Sequence, residues 1–240
     1  MTTRVNELGL PIGPELPDWT ARPRPPHAVM QGRYCRVEPL DPERHAADLH
    51  AANSLDREGR MWTYLLSGPF GSFDAYRAWL ESKRGSEDPL FFAFVDVTSG
   101  RAVGLGSYLR IDPANGSVEV GHLQYSPLMQ RTAVATEAMY LMMKTAFELG
   151  YRRYEWKCDA LNARSRRAAE RLGFTFEGVF RQAVVYKGRN RDTAWFSIID
   201  SEWPLLDATY RRWLDPANFD EAGRQVESLA AIRERQPTSR

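Results

Sequence analysis

The spacing of apolar and polar positions changes along the chain, and each change predicts a different element. Alternation over residues 34–39 predicts a strand. Asp41 followed by Pro42 then predicts the start of a helix that runs to about residue 52, since Asp caps helices and Pro fits their first turn. A second helix is expected over residues 74–83, where aromatic and leucine side chains share one face.

Three strand-like segments follow and predict an antiparallel meander. They cover residues 90–97, 103–111 and 118–125. The turn-forming pairs Ser99-Gly100 and Asn115-Gly116 separate them, which is typical of strands that pair with their neighbours in the chain.

The second half of the chain mixes strands with helices, and this order predicts an α/β fold with a strand, helix, strand unit at its centre. Apolar positions from residue 134 to residue 149 fit a long helix that Gly150 can end. The other elements expected are a strand at 153–157, a helix at 162–172, strands at 176–180 and 193–200, and helical stretches at 205–213 and 219–233.

The first 27 residues are expected to form an arm, because six prolines deny them regular helix or central-strand hydrogen bonding. The arm is either a disordered leader or an extended strap whose apolar residues pack on the domain or on a partner subunit. Those residues are Leu8, Leu10, Ile12, Leu16 and Trp19. We therefore divide the chain into an arm (1–27), a domain (28–204) and a helical extension (205–240).

The composition argues against several classes of function. Lys and Arg number 32 and Asp and Glu 31, so the net charge of +1 gives no support to non-specific binding of nucleic acid or membranes. Cys35 and Cys158 match no metal or redox spacing and are expected as reduced thiols. No apolar run nears the roughly twenty residues that span a bilayer, and no signal peptide is evident, so we expect a cytoplasmic protein.

Residues 118–137 predict an anion-binding site. A strand ends there, and a helix opens at about Arg131 with the small residues Ala133 and Ala135 in its first turn. The unpaired amides and positive dipole end of such a turn suit a pyrophosphate, and small side chains let it approach the backbone. Every helix has such an end, so this pattern alone is more often an ordinary helix start.

A second motif makes the prediction specific. Residues 162–174 read Asn-Ala-Arg-Ser-Arg-Arg-Ala-Ala-Glu-Arg-Leu-Gly-Phe and resemble the N-x-x-S/A-x-x-x-x-x-x-L-G-F signature of the GNAT superfamily of N-acetyltransferases. From the residues alone, the segment is an amphipathic helix with Asn162 as N-cap and Gly173 as C-terminal stop. The resemblance implies that Asn162 and the residues after it line the pantetheine and phosphates of the cofactor.

The resemblance also implies a fold and a reaction. The GNAT fold is α/β, with a mixed and mostly antiparallel central sheet that is splayed at the fourth and fifth strands and flanked by helices. The acyl donor would be acetyl-CoA, with no metal, and the acceptor a primary amine attacking directly. Residues 32–204 further resemble the branch of ribosomal-protein alanine acetyltransferases (RimJ/RimL-like), through Glu119-x-Gly121, Thr136-Glu137-Ala138 and residues 191–196.

Three functions stay open at this point. The branch implies a protein N-terminus as acceptor, and a small-molecule amine is the alternative on the same fold. The third is a catalytically silent acyl-CoA-binding or regulatory module, because the chain departs from the family twice. Ala133 replaces the first glycine of the cofactor loop, and Ala169 stands where many members carry a tyrosine acid.

The donor site is carried over from the family by position. The thioester carbonyl would meet a backbone amide at the end of the fourth strand, and the next loop and helical turn would hold the pyrophosphate. Arginines suit phosphate through forked hydrogen bonds, although helical spacing lets only one or two point the same way. The residues expected to bind acetyl-CoA are Leu123, Gln124, Tyr125, Gln130, Arg131, Thr132, Ala133, Val134, Ala135, Thr136, Asn162, Arg164, Ser165 and Arg167, with Arg166 a further candidate.

Three residues are candidates for proton transfer. Glu119 could act as a general base through water, and its alternative role is a rim carboxylate in a surface salt bridge. His122 is a second candidate base because imidazole titrates near neutrality, although a lone histidine on a strand is more often structural. Ser165 could relay a proton to the leaving sulfur or bond locally to the helix backbone.

The acceptor region is described by an aromatic cluster and a basic segment. The cluster either binds the apolar part of a substrate or belongs to the core. Residues 186–191 predict an exposed basic hairpin near the same mouth, which either selects an acidic acceptor or solvates a turn. A homodimer is compatible with the sequence. The cluster comprises Trp62, Tyr64, Phe70, Phe73 and Trp79.

Overall fold

A computed structural model describes residues 4–235 and shows helices on both faces of an eight-stranded sheet. A two-residue strand, Met30–Gln31, lies at one edge of this sheet, and a separate small hairpin joins Arg4–Val5 to Pro11–Ile12. The longer strands are β1 (Cys35–Pro39), β2 (Leu90–Asp96), β3 (Ala102–Asp112), β4 (Ser117–Tyr125), β5 (Arg153–Asp159), β6 (Thr175–Tyr186) and β7 (Arg189–Ile199).

The sheet order confirms the predicted meander and the mixed α/β topology. From the Met30–Gln31 edge the order is β1, β2, β3, β4, β5, β7, β6. β4 and β5 pair in parallel, whereas the other described pairs are antiparallel. The helices are α1 (Pro42–Asn53), α2 (Phe73–Glu81), α3 (Ala133–Glu148), α4 (Ala163–Leu172), α5 (Trp203–Trp213) and α6 (Leu229–Arg235).

Capping residues begin and end the helices where the sequence predicts. The Asp41 side chain accepts a hydrogen bond from the amide of Glu43 at the start of α1 (3.0 Å). Asn162 caps α4 by accepting from the amide of Ser165 (3.1 Å), and Gly173 ends α4 with a φ of 97°. Within residues 4–235, no helix combines the length and the apolar character needed to cross a membrane.

Alternate residues of β2 separate two hydrophobic cores. Phe92 and Phe94 belong to a large core with α3, α4, α5 and α6, and we call this face of the sheet the α3 side. Phe91 and Ala93 belong to a smaller core with α1 and α2, and we call this face the α1 side.

The parallel pair of strands separates part of the way along its length. The β4–β5 ladder joins residues 117–120 to residues 153–156 and then stops, while β4 continues to Tyr125. β5 continues to Asp159 by pairing with β7 on its other edge. The sheet is therefore splayed between its fourth and fifth long strands, as the resemblance predicts.

A β-bulge lies in β4 at the point where the strands separate. Leu105 and Ser107 of β3 pair with Gln124 and Gly121, so β4 has one residue more than β3 between these pairs. His122 takes a φ of 51° there, a left-handed conformation that is uncommon outside glycine. After the bulge, successive side chains again alternate between the two faces.

Two sequence predictions differ from the structure. The strands predicted at 176–180 and 193–200 are parts of one long hairpin, β6 and β7, closed by Lys187 and Gly188. Both turn residues have positive φ, at 48° and 69°, as a two-residue hairpin turn requires. The prediction ended β6 too early because nearly all its residues are exposed, so no buried face imposes an alternating pattern.

The helix predicted over residues 219–233 is wrong for its first ten residues, since only α6 is helical there. A short 3-10 helix, Pro216–Asn218, leads into a loop instead. The Asn218 side chain organises this loop by donating to the carbonyls of Trp213 and Glu227 and accepting from the Glu227 amide. Gly223, with a φ of 70°, turns the backbone in a way that a helix does not allow.

Residues 19–27 of the arm form a strap along the domain. The Trp19 indole donates to the carbonyl of Ala114 (2.7 Å), and a Cβ on Gly116 would lie 2.4 Å from the Trp19 ring. Further along, the His27 Nε2 atom lies 2.9 Å from the carbonyl oxygen of Phe91. Glycine at position 116 therefore makes room for the strap, which favours the second of the two alternatives for this part of the arm.

Candidate active site

The first turn of α3 has the features expected of an anion site. Thr132 is its N-cap, and the Thr132 hydroxyl donates to the Met129 carbonyl (2.6 Å) and accepts from the Ala135 amide (3.4 Å). Arg131, just before the cap, has a φ of 63°. The left-handed residue is thus Arg131 and not Ala133, which is the first residue of α3. Alanine in place of the family's glycine therefore costs no strain at this position.

The loop that leads into α3 is fixed to the end of β4. The Gln130 side chain donates to the Tyr125 carbonyl (2.8 Å), and the Ser126 hydroxyl donates to the Val103 carbonyl (2.5 Å). Ala133, Val134 and Ala135 are half-buried at the start of the helix. Gln130 and Tyr125 are therefore in direct contact, and both are predicted to bind acetyl-CoA.

The splay leaves the end of β4 with one side that no strand covers. In the part of the chain that the structure describes, the edge of Leu123, Gln124 and Tyr125 that faces β5 has no ladder partner. The Leu123 and Tyr125 side chains pack on the α3 side. The buried Gln124 side chain lies on the α1 side, where its Oε1 accepts from the Tyr76 hydroxyl (3.1 Å). The backbone here is placed to bind an extended ligand.

α4 follows β5 as α3 follows β4, so the two helices start at the same end of this parallel pair of strands. The Ser165 amide donates to the capping side chain of Asn162, and the Ser165 Oγ accepts a hydrogen bond from the Trp156 indole (3.0 Å). Arg164 and Arg167 are exposed, as is Arg131. These three arginines are free to approach an anionic ligand from solvent.

Two residues that the sequence predicts to bind acetyl-CoA point away from the first turn of α3. Thr136 is buried, and its hydroxyl accepts a hydrogen bond from Arg171 (3.1 Å), so it faces the interior and not the first-turn amides. The Arg166 guanidinium lies 5.3 Å from the Phe176 ring centroid and contacts the Ala160 carbonyl. Helical spacing allows few arginines to share a direction, and the structure shows Arg166 turned toward β6.

Glu119 lies on the α1 side inside a buried ion cluster. Arg110 donates to both of its carboxylate oxygens (2.7 and 3.1 Å), and the Lys157 ammonium lies 2.9 Å from Oε2. The side chains of Glu119 and Lys157 are only 4% and 5% exposed. Of the two roles expected for Glu119, the salt bridge is therefore present, but it is buried and not at the surface.

The ion cluster extends across β5 to β6. Lys157 also pairs with Glu155 (2.7 Å), and Arg153 bridges Glu155 to Glu177. Burial alone would raise the pKa of Glu155, but hydrogen bonds from Arg153 and Lys157 outweigh it and hold that pKa below its usual range. The Lys157 ammonium additionally lies 3.6 Å from the Trp195 ring centroid.

His122 occupies the bulge next to the splay. Its Nδ1 atom lies 2.9 Å from the Ser107 hydroxyl, and its ring centroid is 5.1 Å from that of Phe91. Burial first, and then the nearby charges of Lys83 and Arg110, lower the pKa of His122 to about 4. The imidazole is consequently neutral at pH 7.

A cavity of about 360 Å³ opens on the α1 side between α1, α2 and the loop that joins them. Its lining includes Trp62 and Phe70 from the predicted aromatic cluster, whereas Phe73 and Trp79 pack against the smaller core. Tyr76, also in the lining, joins the cavity to the end of β4 through its hydrogen bond to Gln124. The aromatic cluster therefore contributes both to a cavity and to a core.

Sequence reasoning missed Asn53 as a residue of this cavity. The Asn53 amide donates to the Tyr76 hydroxyl (3.2 Å), and its buried Oδ1 has no hydrogen-bond partner among the described residues. Asp56 and Glu58 also line the cavity. No local pattern marks Asn53, because its partner Tyr76 lies 23 residues further along the chain.

The predicted basic hairpin borders the same region. The Lys187 ammonium donates to the carbonyls of Trp62 (2.8 Å) and Ser67 (3.3 Å). Tyr186 is buried and donates to Asp159 (2.8 Å), while Lys187 and Arg189 are exposed. The hairpin therefore contacts the loop that contributes Trp62 to the cavity, and only part of the hairpin is solvated.

This arrangement of sheet, splay and helix starts matches a known family. The model of the acetyltransferase (GNAT) domain matches residues 36–175, which is more than half of the chain. The chain belongs to the GNAT family and is an acetyl-CoA-dependent N-acetyltransferase. Among residues 4–235, no group of three or more His, Cys, Asp or Glu side chains could hold a metal ion.

Individual relatives place the chain within the family. It is 49% identical to a GCN5-related N-acetyltransferase from Brucella melitensis, a solved structure with a TM-score of 0.89 that covers 91% of this chain and 100% of that one. It is 28% identical to "Putative ribosomal N-acetyltransferase YdaF" of Bacillus subtilis (strain 168), over 70% of this chain and 90% of that protein.

A more distant structure shares the fold. RimL, titled a ribosomal L7/L12 alpha-N-protein acetyltransferase, is 19% identical, with a TM-score of 0.61, and covers 71% of this chain and 93% of that one. The name of the Bacillus subtilis relative, a ribosomal N-acetyltransferase, agrees with the branch that the sequence motifs resemble. What RimL acetylates is a property of that protein, and its likeness to this chain is one of fold.

Proposed function

We propose that this protein transfers the acetyl group of acetyl-CoA to a primary amine by direct attack, with the donor on the α3 side and the amine on the α1 side. The observation that carries the proposal is the uncovered edge of β4 beyond Val120, which opens between the two sides. A direct transfer needs donor and acceptor to meet in one place, and the splay provides that place.

The residues at the start of α3 and α4 fit acetyl-CoA. Ala133 has helical φ, so its amide and that of Val134 are oriented like those of any first helical turn, which suits pyrophosphate. Arg131, Arg164 and Arg167 would neutralise the phosphates from solvent. When bound, acetyl-CoA supplies an activated thioester carbonyl. Backbone amides of residues 123–125 would orient that carbonyl.

Proton transfer divides between two candidates on β4. Both oxygens of Glu119 are already bonded to Arg110 and Lys157, so we assign it the positioning of these two cations. His122 is neutral, half-buried and adjacent to Leu123, and we assign it the proton of the attacking amine. The Ser165 hydroxyl accepts from Trp156 and retains its own hydrogen, which it can donate to the leaving sulfur.

The acceptor that we propose first is the N-terminal amine of a protein, and the relative that is 28% identical supports it by its name, a ribosomal N-acetyltransferase. A small-molecule amine is the second candidate. The cavity of about 360 Å³ supports it, because that volume suits a small ligand. We place the reaction in the cytoplasm, where the buried free cysteines Cys35 and Cys158 would stay reduced.

A thiol-release assay with acetyl-CoA tests the proposal. Pooled peptides with free N-termini and pooled small amines are the two acceptor arms, and release above the no-acceptor rate is expected with peptides. Release with small amines alone would select the second candidate. Tight acetyl-CoA binding with no release in either arm would contradict the proposal and support a silent acyl-CoA-binding module.

Calorimetry separates donor binding from turnover. Arg131→Glu should weaken acetyl-CoA binding about tenfold or more, since it replaces a cation beside the helix start with an anion. Arg77→Glu, an exposed reversal on α2, is the matched control and should leave the affinity unchanged. Equal affinities for Arg131→Glu and the unsubstituted protein would count against the donor site.

A further inference from the structure

Two exposed apolar segments lie outside the acyl-transfer site. Of the seventeen large apolar side chains that are highly exposed within residues 4–235, five lie in residues 4–18 and five on β6. Such clustering is typical of binding surfaces, whereas single exposed apolar residues are common. The first segment exposes Val5, Leu8, Leu10, Ile12 and Leu16, and the second exposes Phe176, Val179, Phe180, Val184 and Val185.

Residues 4–18, which we call the arm segment, are folded and yet expose their apolar residues. The Asn6 side chain holds a tight turn by accepting from the amides of Leu8 (3.0 Å) and Leu10 (2.9 Å). Arg4–Val5 pairs with Pro11–Ile12 across this turn. Leu8 at the turn is 81% exposed. The arm segment is therefore a small ordered hairpin with no apolar surface beneath Leu8.

β6 offers a complementary surface at the sheet edge. It pairs with β7 on one side, and in the described part of the chain its other edge has no strand partner. Nearly all of its twelve residues are exposed, and Val185 reaches 82%. A long exposed edge strand with apolar side chains is a surface that folded proteins normally cover.

The two surfaces have opposite charge. The arm segment carries Arg4 against Glu7, Glu15 and Asp18, a net charge of −2. Residues 181–191, which form the tip of the β6–β7 hairpin, carry four cations and no carboxylate. Charge complementarity of this kind orients association and selects between partners.

The attachment of the arm and the tip of the β6–β7 hairpin lie at opposite ends of the sheet, while β6 itself runs from one end to the other, since Thr175 pairs with Ser197. Arg153 pairs with Ser117 on one side and with Ile199 on the other, so the β3–β4 turn that holds Trp19 is level with the end of β7. From that level β7 runs back ten residues to the hairpin, a distance of about 33 Å. In the structure the arm does not cover its own hairpin, because Leu8 and Val185 are 81% and 82% exposed. A two-fold axis would instead bring each arm to the hairpin of the other copy.

We propose that the arm segment docks on β6 and the β6–β7 hairpin of a second copy of this chain, and that the exchange is reciprocal. Apolar side chains of the arm cover the exposed valines of β6, and the acidic arm neutralises the basic tip. Because Lys187 at the tip holds the loop of Trp62, the docked arm borders the acceptor region of the partner. This interface is independent of the acyl-transfer chemistry.

Sedimentation velocity over about 1 to 100 µM protein tests the association, since a reciprocal interface makes it depend on concentration. We expect a dimer, and Leu10→Ser and Val185→Ser should each weaken it at least about tenfold. Val226→Ser, at another valine that is 67% exposed, is the control and should dimerise normally. A monomer at all concentrations, or unweakened dimers in both variants, would overturn the proposal.

Cross-linking identifies the two surfaces. Leu8→Cys and Val185→Cys are prepared as separate proteins, mixed and treated with a short bismaleimide, with the buried Cys35 and Cys158 left in place. A two-chain product that forms only in the mixture is expected. A double variant, Leu8→Cys with Val185→Cys in one chain, is treated in parallel. Cross-linking within one chain of that variant, without a two-chain product, would show that the arm covers its own β6 and would exclude the exchange.

Charge reversal supplies a third test, because recovery of affinity in a combined variant cannot result from a loss of folding. Glu7→Arg and Arg189→Glu should each weaken the dimer, and combining them should restore part of the affinity. Acetyl-CoA affinity should stay constant in all these variants, which separates failure of the dimer from failure of the proposed function. No recovery in the combined variant would contradict charge pairing between the arm and the hairpin.

Discussion

The two sides of the sheet hold buried carboxylates by different means. On the α3 side, Glu137 accepts hydrogen bonds from the backbone amides of Arg33, Tyr34 and Cys35, at 2.9, 2.5 and 2.6 Å. On the α1 side, Glu119 is held by the side chains of Arg110 and Lys157. The α3 side thus relies on the backbone, while the α1 side relies on charged side chains from different strands.

Because of this difference, the α3 side has a rigid geometry, whereas the contacts on the α1 side can be changed by substitution. Backbone amides are fixed by the fold, so a site built from them keeps its geometry when surface residues change. Side-chain clusters can be rebuilt by a few substitutions, which suits the side where we propose that the amine binds. We therefore expect substitutions on the α3 side to affect folding and donor binding, and substitutions on the α1 side to affect the acceptor.

The largest effect is expected at Glu137. Glu137→Ala leaves three backbone amides without their acceptor and should lower the free energy of unfolding by about 4 kcal/mol. Urea titration followed by circular dichroism measures the loss. Glu148→Ala, at a side chain on the same helix that is 61% exposed, should change stability by less than about 0.5 kcal/mol. Equal losses in the two variants would show that the amides find other partners.

A smaller effect is expected at Glu119. Glu119→Gln removes the charge that two cations share and should destabilise the fold by about 3 kcal/mol, because Lys157 stays buried. Glu177→Gln, whose side chain is 37% exposed, should cost about 1 kcal/mol. In the positioning role that we assign to Glu119, the acceptor KM rises and acetyl-CoA affinity is retained. A loss of kcat alone, with a shifted pH profile, would return Glu119 to the role of base.

His122 makes stability depend on pH. Its pKa falls from 6.5 in the unfolded chain to about 4 in the fold, so the unfolded chain binds the proton more readily between these values. Stability should therefore fall by about 2 kcal/mol from pH 6.5 to pH 4, after allowance for partial exposure. His122→Asn, which tolerates the positive φ, should flatten this slope and lower kcat. If stability depends on pH in the variant as it does in the unsubstituted protein, a group other than His122 titrates in this range.

The smallest effect is expected at Tyr76. Tyr76→Phe breaks the link from Asn53 to Gln124 and should cost about 1 kcal/mol of stability. It should also raise the acceptor KM while acetyl-CoA affinity stays constant. Tyr64→Phe, which removes a half-exposed hydroxyl from the same region, is the control. Equal acceptor KM values for Tyr76→Phe and the unsubstituted protein would show that the cavity does not contribute to binding of the acceptor.

The sequence predicts the ends of helices on both sides of the sheet better than the contacts between distant segments, and the reason is the range of the contacts. Asp41, Asn162 and Gly173 act on residues within one turn, so their patterns are local and the helices they bound are confirmed. The splay follows from a family motif that spans contiguous residues. The start of α3 is predicted less accurately: the sequence indicates an opening at about Arg131, whereas Arg131 takes a left-handed φ and the helix begins at Ala133.

The parts that the sequence does not predict depend on distant segments. Arg171 turns Thr136 inward from 35 residues away, and Tyr76 meets Gln124 across 48 residues. The loop after Asn218 takes its shape from side-chain bonds that compete with a helix, which hydrophobic spacing does not record. Such contacts arise only when the fold brings the segments together.

One extra residue in β4 has a further consequence for how this enzyme can change. Because the bulge at His122 shifts the alternation of the strand by one position, it directs Leu123 toward the α3 side, where we propose the thioester, and Gln124 toward the α1 side, where we propose the amine. If the same residues paired with β3 in regular alternation, without the bulge, these two directions would be exchanged. Deleting His122 would instead restore one-to-one pairing with β3 and leave Leu123 and Gln124 on their present sides. In evolution, the strand can therefore lose its extra residue without exchanging its two faces, but it cannot lose the bulge while keeping its length.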